Sequence, residues 1–539
     1  MATLKDKDNL YFFGRSHSYL EFPNILDVGS KALYLMRMDK IMLPVPPGFV
    51  ISTRICQEYL KNNKALPEDC TESIQSFVKK IEESTGLRFS DSRKPLLLSV
   101  RSGAAVSMPG MLESLLNIGL CDSTIDGLIR MTGNPKFVWD SYRRLIETFA
   151  RVVYGYPANF FENILKDHIS NEGLKDAREL TAKDLKGLSE TYLREFESYN
   201  HFPFPQQPFI QLMEAIGAVF RSWESQRAIE YRRLHDIRDL IGTASIIQAM
   251  VYGNMGATSG SGVAFTRDPA TGKDRMYIDF MFNSQGEDIV SGRHTLRNTE
   301  KLRQIMPRIH KEIQNIKSRL EIEFKDMQDF EFTVQEGELF ILQSRPGKRT
   351  SWAAVQIAVE LVNEGLIDFA TALKRIEKYD LSKIVRTRLS SQSNLNLLCN
   401  GISANQGVIA GKLVLDTKIA KNESARGEPL VLVRQDISTD DIEGMALCSG
   451  LITNQGGRTS HAAVVARQMD KVCIVGCRAI SIDFKKRLCI INKKIIHEGD
   501  YITVDGNSGS VFEGKADVVV EEPTENIDEI ERWKKLLKN

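Results

Sequence analysis

Cysteine is scarce and scattered. The 539 residues hold eight, at Cys56, Cys70, Cys121, Cys399, Cys448, Cys473, Cys477 and Cys489, and none form a CxxC pair. The spacing offers no disulfide framework, and Cys473 and Cys477, four apart in an apolar stretch, read as buried thiols. The chain has no apolar run of the roughly 18–20 residues that a membrane span needs. Its first residues, MATLKDKDNLYFFGRSHS, lack the charged-then-apolar order of a signal peptide. Net charge is nearly absent, with 71 Lys and Arg against 70 Asp and Glu. That balance gives no reason to invoke nucleic acid or an anionic membrane surface. Short repeats and low-complexity tracts are missing too. The expected compartment is reducing cytoplasm.

The composition is that of an ordinary soluble protein, 42% hydrophobic and 26% charged. At roughly 100–200 residues per domain, the length predicts about three or four packed units. Residues 31–38 read as helix, ending at the proline-rich turn LPVPPGF. Residues 96–101 (LLLSVR at their core) read as a buried strand followed by the small-residue loop SGAAVSMPGM. Residues 120–240 mix charged and apolar residues at helical spacing. Residues 244–252 read as a strand, and DFEFT and ELFILQ as a hairpin around Val334-Gln335-Glu336-Gly337. A helix is expected over 351–364. The Ser- and Asn-rich stretch around 380–405 reads as a linker. Strands and one clear helix, HAAVVARQM, alternate from there to about residue 512. The tail TENIDEIERWKKLLKN has an apolar stripe of Ile527, Ile530, Trp533 and Leu537. Such a helix docks either on its own chain or on a further domain or partner.

Three segments are candidates for chemistry. In NQGGRTSHAAVVARQM, glycines and Thr-Ser lead into a helix with His461 at its first turn, where unpaired N–H groups and the dipole favour an anion. A largely neutral imidazole there can attack phosphorus, and the alternative is an ordinary capped surface helix. In DFEFTVQEGELFILQSR, Asp329 and Glu331 share one strand face, and Gln343 and Arg345 another. Oxygen ligands suit Mg²⁺ and a guanidinium suits phosphate; the alternative is a solvated hairpin face. In YGNMGATSGSGVAF, Gly253, Gly256, Gly260 and Gly262 fit either a phosphate-covering loop or a plain connecting turn, with no Walker-type Gly-Lys-Ser/Thr. Lys31 and Arg101 are further cations that can reach a triphosphate or serve as ordinary ion-paired residues.

Taken together, GSKALYL, SVRSGAAVSMPGM, WDSYRRLIETF, QAMVYGNMGATSGSGVAFTRDPATG, DMQDFEFTVQEGELFILQSRPGKRT and GGRTSHAAVVARQM resemble the pyruvate phosphate dikinase and phosphoenolpyruvate synthase family, in order and in spacing, from about residue 20 onward. The resemblance is stronger to the dikinase. It implies a multidomain α/β fold: an ATP-grasp-like nucleotide-binding domain over 1–345 with a helical insertion about 120–205, a helical linker over 346–394, a swivelling α/β phosphohistidine domain over 395–515, and a linker helix over 516–539.

Carried over by position, the resemblance makes His461 the phosphoryl carrier and Lys31 and Arg101 the phosphate-contacting cations. Glu331 and Gln343 become Mg²⁺ ligands, with Asp329 beside them. Arg345 acts on the transferring phosphates, Gly260 and Gly262 belong to the loop over the nucleotide, and Glu287 sits towards the nucleoside. Thr459 matches a regulatory threonine. Arg458, where the family usually has Met, is either a phosphate or acceptor contact or a neutral change. Ser30 stands where the family usually has Gly. The implied reaction is attack of the histidine on the β-phosphoryl group of ATP, release of AMP, and passage of the γ-phosphate to orthophosphate. The family's C-terminal pyruvate-binding barrel has no counterpart here. The resulting expectations are a dikinase part served by a separate pyruvate-binding chain, a phosphotransferase with another small-molecule or protein acceptor, or a non-catalytic nucleotide-binding regulatory partner.

Overall fold

A computed structural model of the chain describes residues 9–537 apart from 15–16, 20, 107, 109–110, 158, 287–298, 391–394, 425–426, 438–440 and 458–459. Two compact units emerge. The first comprises Met1–Ala257 with Phe340–Ser344, the second Thr258–Leu339 with Arg345–Asn539.

The first unit is built on an antiparallel sheet in the order Leu10–Phe13, Gly48–Ile51, Ala244–Ala249, Leu98–Gly103, Ser114–Ile118. The two central strands are buried at nearly every position, as a sheet covered on both faces requires. The helix Ile25–Lys40 lies against it, and Gly29 interrupts that helix with φ 79° and ψ 162°. A Cβ at Gly29 would overlap the backbone of Gly103, so only glycine permits this approach. Ser30 follows, and its N–H and hydroxyl both donate to Ala104 O, at 3.0 and 3.1 Å. A serine is thus accommodated by a bond that a glycine would lack.

The expected helical stretch is helical. Pro135–Tyr154 starts at the Asn134 cap, whose side chain accepts from Phe137 N, and stops at left-handed Gly155. It packs on Ala182–Asn200 through Tyr142, Phe149, Tyr192 and Phe196.

In the second unit, Gly260–Phe265 runs between Tyr277–Phe282 and Gln328–Gln335, antiparallel to both. The expected hairpin turns through Glu336 and Gly337, both at positive φ (49° and 80°), the signature of a type I′ turn. Buried Arg267, at the end of this sheet, is bonded to Glu321, Glu360 and Glu364 and so ties the helices Pro307–Phe324 and Ser351–Asn363 to it. Thr350 caps the latter helix.

Beyond lies an eight-stranded sheet ordered Leu397–Asn400, Ser510–Glu513, Tyr501–Asp505, Val408–Val414, Leu430–Arg434, Gly450–Thr453, Val472–Val475, Ile402–Asn405. Its four inner members from Val408 to Val475 are parallel. The Ser- and Asn-rich stretch read as linker supplies two strands of this sheet, because Leu398, Cys399, Ile402 and Ala404 bury themselves between its polar residues. The tail helix Thr524–Leu536 packs on its own chain, burying Ile530 and Trp533 against Val355 and Ala358 while Leu537 stays exposed. All eight cysteines are buried and unbridged.

Candidate functional site

The first unit gathers three of the expected residues. Lys31 opens the first full turn after the Gly29 break and its Nζ lies 3.4 Å from Ser102 O, on the strand Leu98–Gly103. Arg101 stands on that same strand, half-buried, and its Nη2 donates to Gln343 Oε1 at 3.1 Å. Both cations thus border the strand Leu98–Gly103, and Arg101 binds the amide oxygen of buried Gln343.

The second unit holds the other charged set, on the hairpin. Asp329 and Glu331 alternate on Gln328–Gln335, opposite Phe265 and Val263 of the neighbouring strand. Arg345 Nε donates to Asp329 Oδ2 at 2.9 Å. The Asp329 carboxylate is 3% exposed while Arg345 is 45% exposed, so one partner of the pair is dry and the other wet. Burial pushes the Asp329 carboxyl above its usual range despite the opposing pull of Arg345. Burial works against the charge of Arg345, but Asp329 and Glu331 outweigh it and keep the guanidinium protonated. Asp329 Oδ1 is buried with no hydrogen-bond partner among the described residues. A dry carboxylate oxygen left unpaired is what a bound cation would satisfy. Among the described residues no three His, Cys, Asp or Glu side chains cluster as a metal cage.

His461 is the first residue of the helix His461–Gln468, which follows the strand Gly450–Thr453 of the parallel sheet. The helix start therefore lies beyond the carboxyl end of a parallel strand, where open α/β sheets place ligands. Gly456, in the connecting turn, has φ 105°, and a Cβ there would crowd the Ser460 side chain. Ser460 precedes the helix in extended conformation, 2% exposed. Its hydroxyl makes no capping bond and has no partner among the described residues. Among the described residues the helix-start N–H groups have no side-chain cap and the hydroxyl no partner, an arrangement that favours an anion.

The sequence model described as "Pyruvate phosphate dikinase, AMP/ATP-binding domain" matches residues 62–305 and 294–365, more than half of the chain. The one described as "PEP-utilising enzyme, mobile domain" matches residues 427–509, which include the His461 helix. The chain belongs to the pyruvate phosphate dikinase family. A relative named pyruvate, phosphate dikinase from Clostridium symbiosum is 42% identical over 490 residues, 90% of this chain and 56% of the relative. One from Rhizobium meliloti is 38% identical over 536 residues, 97% of this chain and 60% of its own. A chloroplastic one from Flaveria pringlei is 41% identical over 517 residues, 96% and 54%. The chain thus spans little more than half the length of these curated relatives. Among the described residues no helix is long and apolar enough to cross a membrane.

Within this dikinase-family chain, one expectation about local structure is corrected. Gly260 and Gly262 do not lie in a loop; they belong to the strand Gly260–Phe265. A methyl group at Gly260 would overlap the Phe280 ring, and one at Gly262 the Phe332 ring. The glycines admit aromatic rings to the sheet surface, and the connecting turn occupies 250–259 instead. Glu287, Arg458 and Thr459 lie outside the described residues. Sequence reasoning missed Ser460, whose signal was its place directly before His461, and also Arg467, whose burial nothing in the local pattern announces.

Proposed function

We propose that this chain binds ATP with Mg²⁺, transfers the β-phosphoryl group to His461, and passes it on to an acceptor. The carrying observation is the placement of His461 at a helix start that Ser460 does not cap, beyond a parallel strand and inside the segment that matches the family's mobile domain. In this reading Lys31 and Arg101 contact phosphate oxygens and Arg345 stabilises the transferring group. Gly260 and Gly262 shape the sheet beside the nucleotide, with Glu287 towards the nucleoside. Glu331 and Gln343 hold Mg²⁺, Asp329 beside them. A cation held there would offset the negative charge of the phosphates. The nucleotide domain extends over 1–345 and the phosphohistidine domain over 395–515, joined by a linker over 346–394.

An imidazole nitrogen of His461 forms the new bond to phosphorus while the bond to the α–β bridging oxygen breaks, and AMP departs with that electron pair. The γ-phosphoryl group passes to orthophosphate as pyrophosphate. Phosphoryl transfer asks the protein mainly for charge neutralisation and in-line placement, and the two cation sets and a carrier domain supply these. The names of the relatives support pyruvate as the final acceptor, on a separate chain or a further domain.

Incubation with β-labelled ATP and Mg²⁺ is expected to leave acid-labile label on the chain, and His461→Ala abolishes it. Wild-type protein that stays unlabelled both with and without orthophosphate would sink the proposal. Addition of a pyruvate-binding chain tests the acceptor separately.

A further inference from the structure

Arg467 lies six residues beyond His461, near the far end of the same helix, and is 1% exposed. Its Nη1 donates to Ala404 O at 3.1 Å, on the edge strand Ile402–Asn405 of the eight-stranded sheet. Its guanidinium also approaches the other sheet of the same unit, with its carbon 5.4 Å from the centroid of the Phe265 ring. Phe265 is the register partner of Asp329 on the neighbouring strand. The Arg467 charge is accordingly among those that oppose the upward push of burial on the Asp329 carboxyl.

Three residues on, Asp470 Oδ1 accepts the N–H of Ser351 at 3.2 Å. Ser351 opens the helix Ser351–Asn363, so this carboxylate meets the favourable end of a helix dipole. A hollow of about 40 Å³ lined by Asp268, Pro269, Ala270, Ser403, Ala404 and Gln406 continues the same seam, room for about one water. Among the described residues the seam thus includes one polar anchor, Asp470 with Ser351, beside one cation–π contact.

A guanidinium suits a contact that is made and broken. It is weakly hydrated, stacks on an aromatic face, and returns to water without changing its charge.

We propose that Arg467 is a positioning residue: seated on Phe265 beside Asp329, it docks the mobile domain on the sheet that carries the acid pair and so fixes where the His461 helix begins. Its use in catalysis rests on the reading of His461 as phosphoryl carrier; the docking itself does not.

The test is amide hydrogen exchange on the full chain without nucleotide, with Arg467→Gln, Phe265→Leu and their double variant. Asp470→Gly serves as an exposed, fold-safe third variant, since residue 470 has φ 50° and glycine tolerates it. Exchange in Gly260–Phe265 and in the first turn of Ser351–Asn363 is expected to rise on the order of tenfold in each seam variant. The double variant should add little to either single one, and the mobile-domain strand Val408–Val414 should exchange as in wild type. Wild-type exchange at the seam in all variants would overturn the proposal. So would faster exchange in Ile402–Asn405 with Arg467→Gln alone, while Phe265→Leu stays silent. If the seam responds but wild-type His461 never takes label, the carrier reading falls and the docking stands.

Discussion

Asp329 bears an unfavourable arrangement that the fold alone does not explain. Its carboxylate is dry, one oxygen is bonded to Arg345, and the other has no partner among the described residues. A buried polar atom left unpaired destabilises by about 1–3 kcal/mol, so a site of this kind trades stability for binding. Asp329→Asn is therefore expected to raise the melting temperature of the ligand-free protein, by about 0.5–2 kcal/mol in stability. The same variant should weaken Mg²⁺-dependent ATP binding. Thermal unfolding with and without Mg²⁺-ATP checks both, and a variant that loses stability in both states would contradict the assignment. The alternation of Asp329 and Glu331, and of Gln343 and Arg345, was readable from spacing. That Arg101 binds Gln343 was not, because 242 residues separate them and only strand order brings them together.

Among the elements, the helix Pro135–Tyr154 has local signals that agree with one another: an Asn cap, Pro at its first position, a glycine stop and a continuous apolar face. Its polar side is fixed by Asp140, which binds both Arg143 and Arg144, with Glu147 completing the set. Burial works against the Asp140 charge, yet Arg144 and Arg143 outweigh it and hold the carboxyl below its ordinary range. A depressed carboxyl contributes stability above the unfolded value of about 4 and loses it as pH falls through the folded value. Loss of helical signal below about pH 4 should therefore be steeper in wild type than in Asp140→Asn. At pH 7 that variant is expected to be less stable by roughly 1–3 kcal/mol, the partial exposure of the pair moderating the effect. Circular dichroism across pH checks both. The strand Gly260–Phe265 is the contrary case. The family resemblance places its first glycines in a loop over the nucleotide, although a strand is expected from Gly262 onward. Only the Phe280 and Phe332 rings across the sheet reveal why glycine is needed there.

For the molecule as a whole, the tail helix shows how distant segments are joined within the second unit. Trp533 packs against Val355, Ala358 and Ile376, and Asn526 Nδ2 donates to Gln356 Oε1 at 2.7 Å. Trp533→Ala should remove about 3 kcal/mol of local stability, read as faster amide exchange across Thr524–Leu536. Unchanged exchange there would place the anchor of the tail elsewhere. The apolar stripe was legible in the sequence, but its partner was not. Ile530 and Trp533 found the helices Ser351–Asn363 and Phe369–Ile376, and Leu537 found solvent. By itself the sequence determined the kind of chain this is, through motifs whose residues are close neighbours: the alternating hairpin, the glycine-led helix of His461, and the capped helices. Period and capping are local chemistry, and local chemistry is written in order. The tertiary structure alone decided which carboxylate is dry, which glycines admit aromatic rings, and that the Arg467 guanidinium lies over the Phe265 ring. Burial and long-range contact depend on strands brought side by side from hundreds of residues apart, which no stretch of sequence spells out.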